Sequence, residues 1–378
     1  MTQATVKPNG LQYLPFEDRI AAIDRSIAEL SNSAGSGERL GDIRAMQQQL
    51  VREIKKTYSS LSAWQTVQVA RHPQRPLFQD YLSGIIKEPR ILHGDRCFGD
   101  DAAIVTALGM IGREKVMIIG QEKGRDIKQK IACNFGCPNP EGYRKALAKM
   151  KLAEKFGLPV VSFIDTPGAY PGIGAEERGQ AQAIALNLRE MSRLKVPIVC
   201  VVIGEGGSGG ALGIGVGDRL AMLENAYYSV ISPEGCAGIL WHDGTQADKA
   251  AKALRLTARE LHKLGLVDEI IPEPLGGAHR NQHDTLHHVE QYITKTLREL
   301  KRIKLDALLQ QRYERICRVG DHQMQRTLAE EDAAVAEAPA IPERLSIAAQ
   351  LEAAKTIVPD VPEELEALEQ EPPQTVAE

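Results

Sequence analysis

Two apolar runs of strand length, VVSFID at Val160–Asp165 and IVCVVIG at Ile198–Gly204, each end in a glycine cluster and lead into a helical pattern. That arrangement narrows the architecture. Near-continuous apolar strands belong to a sheet covered on both faces. Strands alternating with helices imply βαβ units with right-handed crossovers. Other segments keep the same rhythm. VMIIG at Val116–Gly120 reads as a short strand. Asn139-Pro140 supplies an N-cap and a helix-start proline for a helix reaching Phe156, and Gly157-Leu158-Pro159 stops it. The spacing predicts one helix from about Ala175 to Leu194, with Ile184, Leu188 and Met191 on one face. YYSVIS at Tyr227–Ser232, a helix near Pro233–Leu240 and a strand over Leu266–Ile271 continue the series. The expected fold class is α/β, with one sheet domain over residues 86–320.

The flanks read differently. Residues 1–85 are expected to be helical. Ile20, Ile23, Ile27 and Leu30 form one apolar stripe, and Leu40, Ile43, Met46, Leu50 and Ile54 a second. The Ser/Gly stretch Ser31–Gly37 divides them, which gives a helical hairpin. Its stripes need cover from the partner helix, the sheet domain or another subunit. In residues 321–378 acidic groups far outnumber basic ones, and no aromatic follows Tyr313. That segment reads as a disordered acidic tail.

Charge and composition exclude several classes. A net charge of −4 gives no reason to expect nucleic acid as a partner. No apolar run reaches membrane-spanning length, and Met1–Pro15 carries no leader pattern, so a cytoplasmic protein is expected. The six cysteines form no CxxC pair, and Cys133 and Cys137 lack partners to complete a zinc site. They read as reduced thiols, and no metal site is expected.

The chemistry is expected in the glycine clusters, Asp165-Thr166-Pro167-Gly168-Ala169-Tyr170-Pro171-Gly172 and Gly204-Glu205-Gly206-Gly207-Ser208-Gly209-Gly210-Ala211. At a strand-to-helix turn, backbone N–H groups point outward without partners. Glycine lets a ligand approach them closely, and the helix dipole adds partial positive charge. Two such turns on neighbouring strands offer converging donors, the geometry of an oxyanion hole. The candidate donors are the peptides at Gly168, Ala169, Gly206, Gly207, Gly209 and Gly210. The plainer alternative is that GGSGG only permits tight helix packing.

Other site readings carry less. Ser208 meets GxSxG only loosely, and nothing in the spacing of His242, His262 or His279 marks a triad partner. No GxxxxGK[ST] is present, and the GxGxxG at Gly204–Gly209 lacks a well-placed acidic residue further on. Lys123, Arg125, Lys128 and Lys130 cluster, with Arg144 and Lys145 beyond; they read either as a solvated face or as contacts for CoA-type phosphates or an acidic partner. Glu234 opens a helix, where it can complement the dipole. His279 and Arg280 read equally as a capped turn or as contacts to a ligand or partner.

At these residues the sequence resembles the family of carboxyltransferase alpha subunits of multi-subunit acetyl-CoA carboxylases. LPFEDRIAAI begins at Leu14, AWQTVQVARHPQRP runs from Ala63 to Pro76, and GDRCFGDDAAIVTALG begins at Gly94. NFGCPNPEGYRKAL (from Asn134), IDTPGAYPGIGAEERGQ (from Ile164) and IGEGGSGGALGIG (from Ile203) follow in order. YSVISPEGCAGILW (from Tyr228) and IIPEPLGGAHRN (from Ile270) complete the set. The resemblance covers about 11–317 and stops before the acidic tail.

The resemblance implies a crotonase-like (ClpP/crotonase) fold with ββα repeats. It implies a beta partner of related fold that carries a zinc ribbon, with an active site between alpha and beta chains and an expected alpha2beta2 assembly. It implies transfer of carboxylate from carboxybiotin, borne on the biotin carboxyl carrier protein, to acetyl-CoA, giving malonyl-CoA for fatty-acid synthesis. The chain itself would bind no cofactor covalently, and ATP would be used by the separate biotin carboxylase. Negative charge would develop on the biotin ureido oxygen, where the glycine N–H groups are placed to meet it. Three other readings stay open: a carboxyltransferase for another acyl-CoA, a single-chain hydratase using Glu176 and Glu177, and a non-catalytic scaffold.

Overall fold

The computed structural model describes residues 10–32 and 40–320. The first nine residues read for a leader, most of the Ser31–Gly37 break and the whole acidic tail lie outside the described residues.

The strands are β1 (Ile86–Leu92), β2 (Ile104–Ile111), β3 (Glu114–Gln121), β4 (Val160–Thr166), β5 (Ile198–Gly207), β6 (Arg219–Leu223), β7 (Tyr227–Ser229) and β8 (Glu269–Ile271). They form one mixed sheet in the order β1-β2-β3-β4-β5-β6-β8, with β7 paired to β5 off that path. The first three strands form an antiparallel meander. From β3 onward every pairing is parallel. Every residue of β4 and β5 is buried, as strands covered on both faces require. Ala146, Met150 and Ala153 from the helix Pro140–Phe156, Ala183 and Met191 from Gln180–Arg193, and Val289, Ile293 and Leu297 from Gln282–Leu300 close the core against them.

Several elements follow their local signals. The helix opened by Pro140 ends at Phe156, and Gly157 terminates it in the left-handed conformation with φ 65°. Other elements depart from the sequence reading. The helix expected over Ala175–Leu194 is two pieces, Ile173–Glu177 and Gln180–Arg193, because Gly179 takes φ 81° between them. β5 does not stop at Gly204: Glu205, Gly206 and Gly207 stay extended by pairing with Tyr227, Tyr228 and Ser229 of β7. The strand expected from Leu266 begins only at Glu269, because Leu266 still bonds back to Leu261 of the preceding helix. β1 gives no strand signal in sequence. It is a sheet edge containing Pro89 and a register shift between Lys87 and Arg90, and most of its side chains are exposed.

The helices Asp18–Asn32 and Leu40–Tyr58 share a small cluster of Tyr13, Ile20, Ala21 and Ile54, flanked by Leu50 and Tyr58. Part of each stripe is therefore covered by the partner helix. The buried Glu17 carboxylate also takes a hydrogen bond from Arg280 at 2.7 Å, which ties the hairpin to the loop after β8.

A buried guanidinium fixes the last helix, Leu305–Cys317. Arg312 donates to both Asp218 carboxylate oxygens at 2.8 Å and to the carbonyls of Met191, Leu194 and Val196 at 2.7–3.0 Å. A lysine keeps the charge but lacks the planar fork. Arg312→Lys is expected to destabilise the chain by about 2 kcal/mol, since at least two buried acceptors lose their donor. Urea unfolding at constant slope checks this. An unchanged midpoint would show that the fork does not hold the helix.

Candidate functional site

Register brings the two glycine clusters together. β4 and β5 are parallel neighbours, and Thr166 pairs with Gly206, so both chains leave the sheet side by side. They then touch. A Cβ added at Gly207 would lie 2.1 Å from the carbonyl oxygen of Pro167, and one at Gly210 would lie 2.4 Å from the amide nitrogen of Ala169. Those two positions need glycine for backbone contact. Gly206 sits against the ring of Tyr228 at 2.5 Å on the same construction, within the β5–β7 ladder. A Cβ added at Gly209 would make only ordinary contact, its nearest neighbour being Ile184 at 3.9 Å.

The second cluster forms a short helix, Ser208–Leu212, capped by Gly207 without any side-chain bond. The N–H groups of Ser208, Gly209 and Gly210 precede any intrahelical acceptor. Ser208 is exposed and takes φ 52°, a strained conformation for a residue with a side chain. In the first cluster the Gly168 N–H donates to Thr166 Oγ1 at 3.1 Å, and Gly168 has φ 155°. Of the six candidate donors, Gly168, Ala169, Gly207 and Gly210 therefore meet at the contact, Gly209 lies beside it, and Gly206 stays within the sheet. An apolar cavity of about 760 Å³ opens at Ser208 and Gly209, with Leu188, Leu212, Tyr228 and Val230 among its walls.

Beneath the contact lies an ion network. Lys123 Nζ, just beyond β3, reaches Asp165 at 2.6 Å and Glu205 at 2.5 Å. Arg71, at the end of the helix Ala63–Ala70, donates to Glu205 at 2.6 Å, to Glu234 at 2.5 Å and to the Tyr227 hydroxyl at 2.9 Å. Tyr227 in turn donates to Glu205 at 2.6 Å. Burial opposes ionisation of Glu205, but Lys123 and Arg71 overrule it and hold its carboxyl at about 2. Burial pushes the Asp165 carboxyl up, with the Glu205 charge adding to it and Lys123 working against both. The Glu205 amide also donates to Asp165 at 2.9 Å, so the network includes the backbone that carries the glycines.

Lys123 is not on a solvated face. It is largely enclosed, and its ammonium engages two carboxylates. Arg125 pairs with Asp80. Lys128 is exposed and Lys130 half-buried. Arg144 bonds to Asp95, and Lys145 is buried against Asp100. Glu234 belongs to the Arg71 network rather than only facing a dipole. Among the described residues no imidazole bonds to Ser208: His262 bonds to the Val267 carbonyl, and His279 stacks on His72 at 3.9 Å. Glu176 and Glu177 are exposed on the helix Ile173–Glu177. No group of three or more His, Cys, Asp or Glu among the described residues is arranged to hold a metal ion, and no helix there is long and apolar enough to cross a membrane.

The sequence reading missed Glu205 and Arg71 as site residues. An acid inside an otherwise apolar strand-to-glycine run was a usable signal for Glu205. Nothing local marked Arg71, whose partners lie 134 and 163 residues away.

Residues 13–320 match the family described as acetyl co-enzyme A carboxylase carboxyltransferase-like. The chain is similar to the acetyl-coenzyme A carboxylase carboxyl transferase subunit alpha of Rhodopirellula baltica, with 56% identity over 81% of this chain and 97% of that one. The protein of the same name from Hydrogenovibrio crunogenus is 54% identical over 82% of this chain and 98% of its own. Among solved structures, the beta subunit of a P. aeruginosa geranyl-CoA carboxylase overlaps 65% of this chain and 46% of its own, at 16% identity and a TM-score of 0.48.

Proposed function

The chain belongs to the family of acetyl-CoA carboxylase carboxyltransferase alpha subunits, and we infer from this how its glycine clusters serve the reaction. The activity is carboxyl transfer to acetyl-CoA, giving malonyl-CoA, with a beta subunit and a biotin-carrying partner. Carboxybiotin is a substrate here and supplies the carboxyl group.

The observation that carries the reading is the backbone contact of Gly207 and Gly210 with the Pro167–Ala169 turn. It gathers peptide N–H groups from two strand ends at one place, above a fixed set of charges. Donors from Ala169, Gly207, Gly209 and Gly210 would meet the oxygen on which charge develops as the carboxyl group leaves, while the Gly168 N–H is taken by Thr166 Oγ1 and Gly206 lies within the β5–β7 ladder. One well-aimed donor of this kind stabilises a transition state by about 3–4 kcal/mol. Preorganised N–H groups need no reorientation at that moment, which is why glycine backbone rather than a side-chain acid suffices. Arg125, Lys128 and Lys130 are the proposed contacts to CoA phosphates or an acidic partner surface. Lys123, expected with them, has its ammonium on Asp165 and Glu205 and would act through that network.

The finer picture belongs to the same inference. The biotin is carried on the biotin carboxyl carrier protein, and ATP is spent by a separate biotin carboxylase. Zinc resides on the beta chain, the assembly is alpha2beta2 and cytoplasmic, and the fold is crotonase-like. The chain divides near residues 85 and 320.

The test is the reverse reaction with malonyl-CoA and biocytin, followed by release of acetyl-CoA, with and without the beta subunit. Activity is expected only with both chains. Activity from this chain alone would overturn the shared site, and none from a stable complex would overturn the choice of acetyl-CoA.

A further inference from the structure

We propose that Gln121, the last residue of β3, is a positioning residue that sets the spacing between the two glycine clusters. This rests on the clusters serving carboxyl transfer as inferred above.

Gln121 is fully buried, and its amide spans the two clusters. Its carbonyl oxygen accepts from the Asp165 N–H at 3.0 Å, where β4 runs into the first cluster. Its amide nitrogen donates to the Gly210 carbonyl at 2.9 Å, in the second cluster. The partners fix the amide's orientation, since a backbone donor faces one end and an acceptor the other.

The Gly210 carbonyl depends on this support. The helix Ser208–Leu212 is one turn long, and the amide of Ile214, four residues after Gly210, bonds to Ala211 at 3.3 Å instead. The acceptor is filled from outside, by Gln121 and by the Tyr143 hydroxyl at 3.1 Å from the helix Pro140–Phe156. The Cα of Gly210 itself is pressed on the Gly168–Ala169 peptide, with no room for a Cβ between them. A shift at its carbonyl therefore moves the Gly210 and Ala169 donors relative to each other. Donor misplacement weakens transition-state stabilisation more than substrate binding. An ordinary core glutamine would affect stability alone.

The experiment uses the complex with the beta subunit and reads kcat and KM for malonyl-CoA together with the thermal midpoint. Gln121→Met keeps the volume and loses both bonds. Its kcat is expected to fall by about tenfold or more with KM within about twofold. Tyr143→Phe removes the second donor only, and its kcat should fall by about threefold with KM unchanged. If Gln121→Met does not fold, Tyr143→Phe carries the test. Unchanged kcat in the folded variants, with or without a lower midpoint, overturns the proposal.

Hydrogen exchange separates this from the functional reading. Faster exchange confined to segments 165–170 and 205–213 in Gln121→Met supports the positioning role even if the wild-type complex proves inactive. Exchange unaltered there overturns it.

Discussion

Gly207→Ala is expected to lower carboxyl transfer by about a hundredfold or more, while Gly209→Ala, two residues on, stays within about threefold of wild type. The difference follows from what each new methyl meets. At Gly207 it would lie 2.1 Å from the Pro167 carbonyl oxygen and 2.3 Å from its carbon, and both are backbone. No side chain can turn away, so the two turns must separate. β4 and β5, completely buried and laddered together, are the stiffer part. The displacement therefore falls on the turns that carry the N–H groups. At Gly209 the nearest atoms are 3.9 Å away. Losing one aimed donor costs about two to three orders of magnitude in kcat in sites of this type. Steady-state kinetics of both variants with the beta subunit, alongside thermal midpoints, decide the matter. Wild-type kcat in a folded Gly207→Ala chain would mean that the contact between the turns is not needed for catalysis.

Lys123→Met is expected to cost about 3–5 kcal/mol at pH 7, because it leaves Asp165 and Glu205 buried beside each other without their shared cation. The loss depends on pH in a definite direction. The Glu205 carboxyl is depressed from 4.5 to about 2 in the folded chain. Its stabilising contribution is complete above the ordinary carboxylate range and is lost as pH falls from about 4.5 toward 2. Asp165 runs the other way, since burial raises it and it accepts a proton earlier on acidification. In the variant neither carboxylate has Lys123, so acid relieves their repulsion. The gap between wild type and Lys123→Met is therefore expected to narrow as pH is lowered through this window. Urea unfolding at pH 7 and near pH 4 checks both sign and size. A gap that is constant with pH would show that the lysine contributes packing rather than charge.

The same lysine shows where local reading stops. Lys123, Arg125, Lys128 and Lys130 lie close together in sequence, yet one is enclosed in an ion network and another is exposed. Charge spacing along a chain cannot report whether carboxylates from β4 and β5 arrive beside it. Likewise β1 has no apolar pattern because an edge strand needs none, and the position of Leu305–Cys317 is fixed by Asp218 and three carbonyls distant in sequence.

Features carried by short-range physics were legible. The apolar runs of β4 and β5, the proline start and glycine stop of the helix Pro140–Phe156, and the two glycine clusters all follow from a few adjacent residues. So did the family resemblance, which depends on ordered local motifs. What required the fold was convergence. That Gly207 and Gly210 rest on Pro167 and Ala169, that Gln121 bridges Asp165 and Gly210, and that Arg71 reaches Glu205 depend on strand register and on side chains meeting across long loops. Glycine clusters in a sequence announce where a backbone can be approached. Parallel pairing of β4 with β5 brings the approaching partner, and it does so because both strands must bury two apolar faces at once.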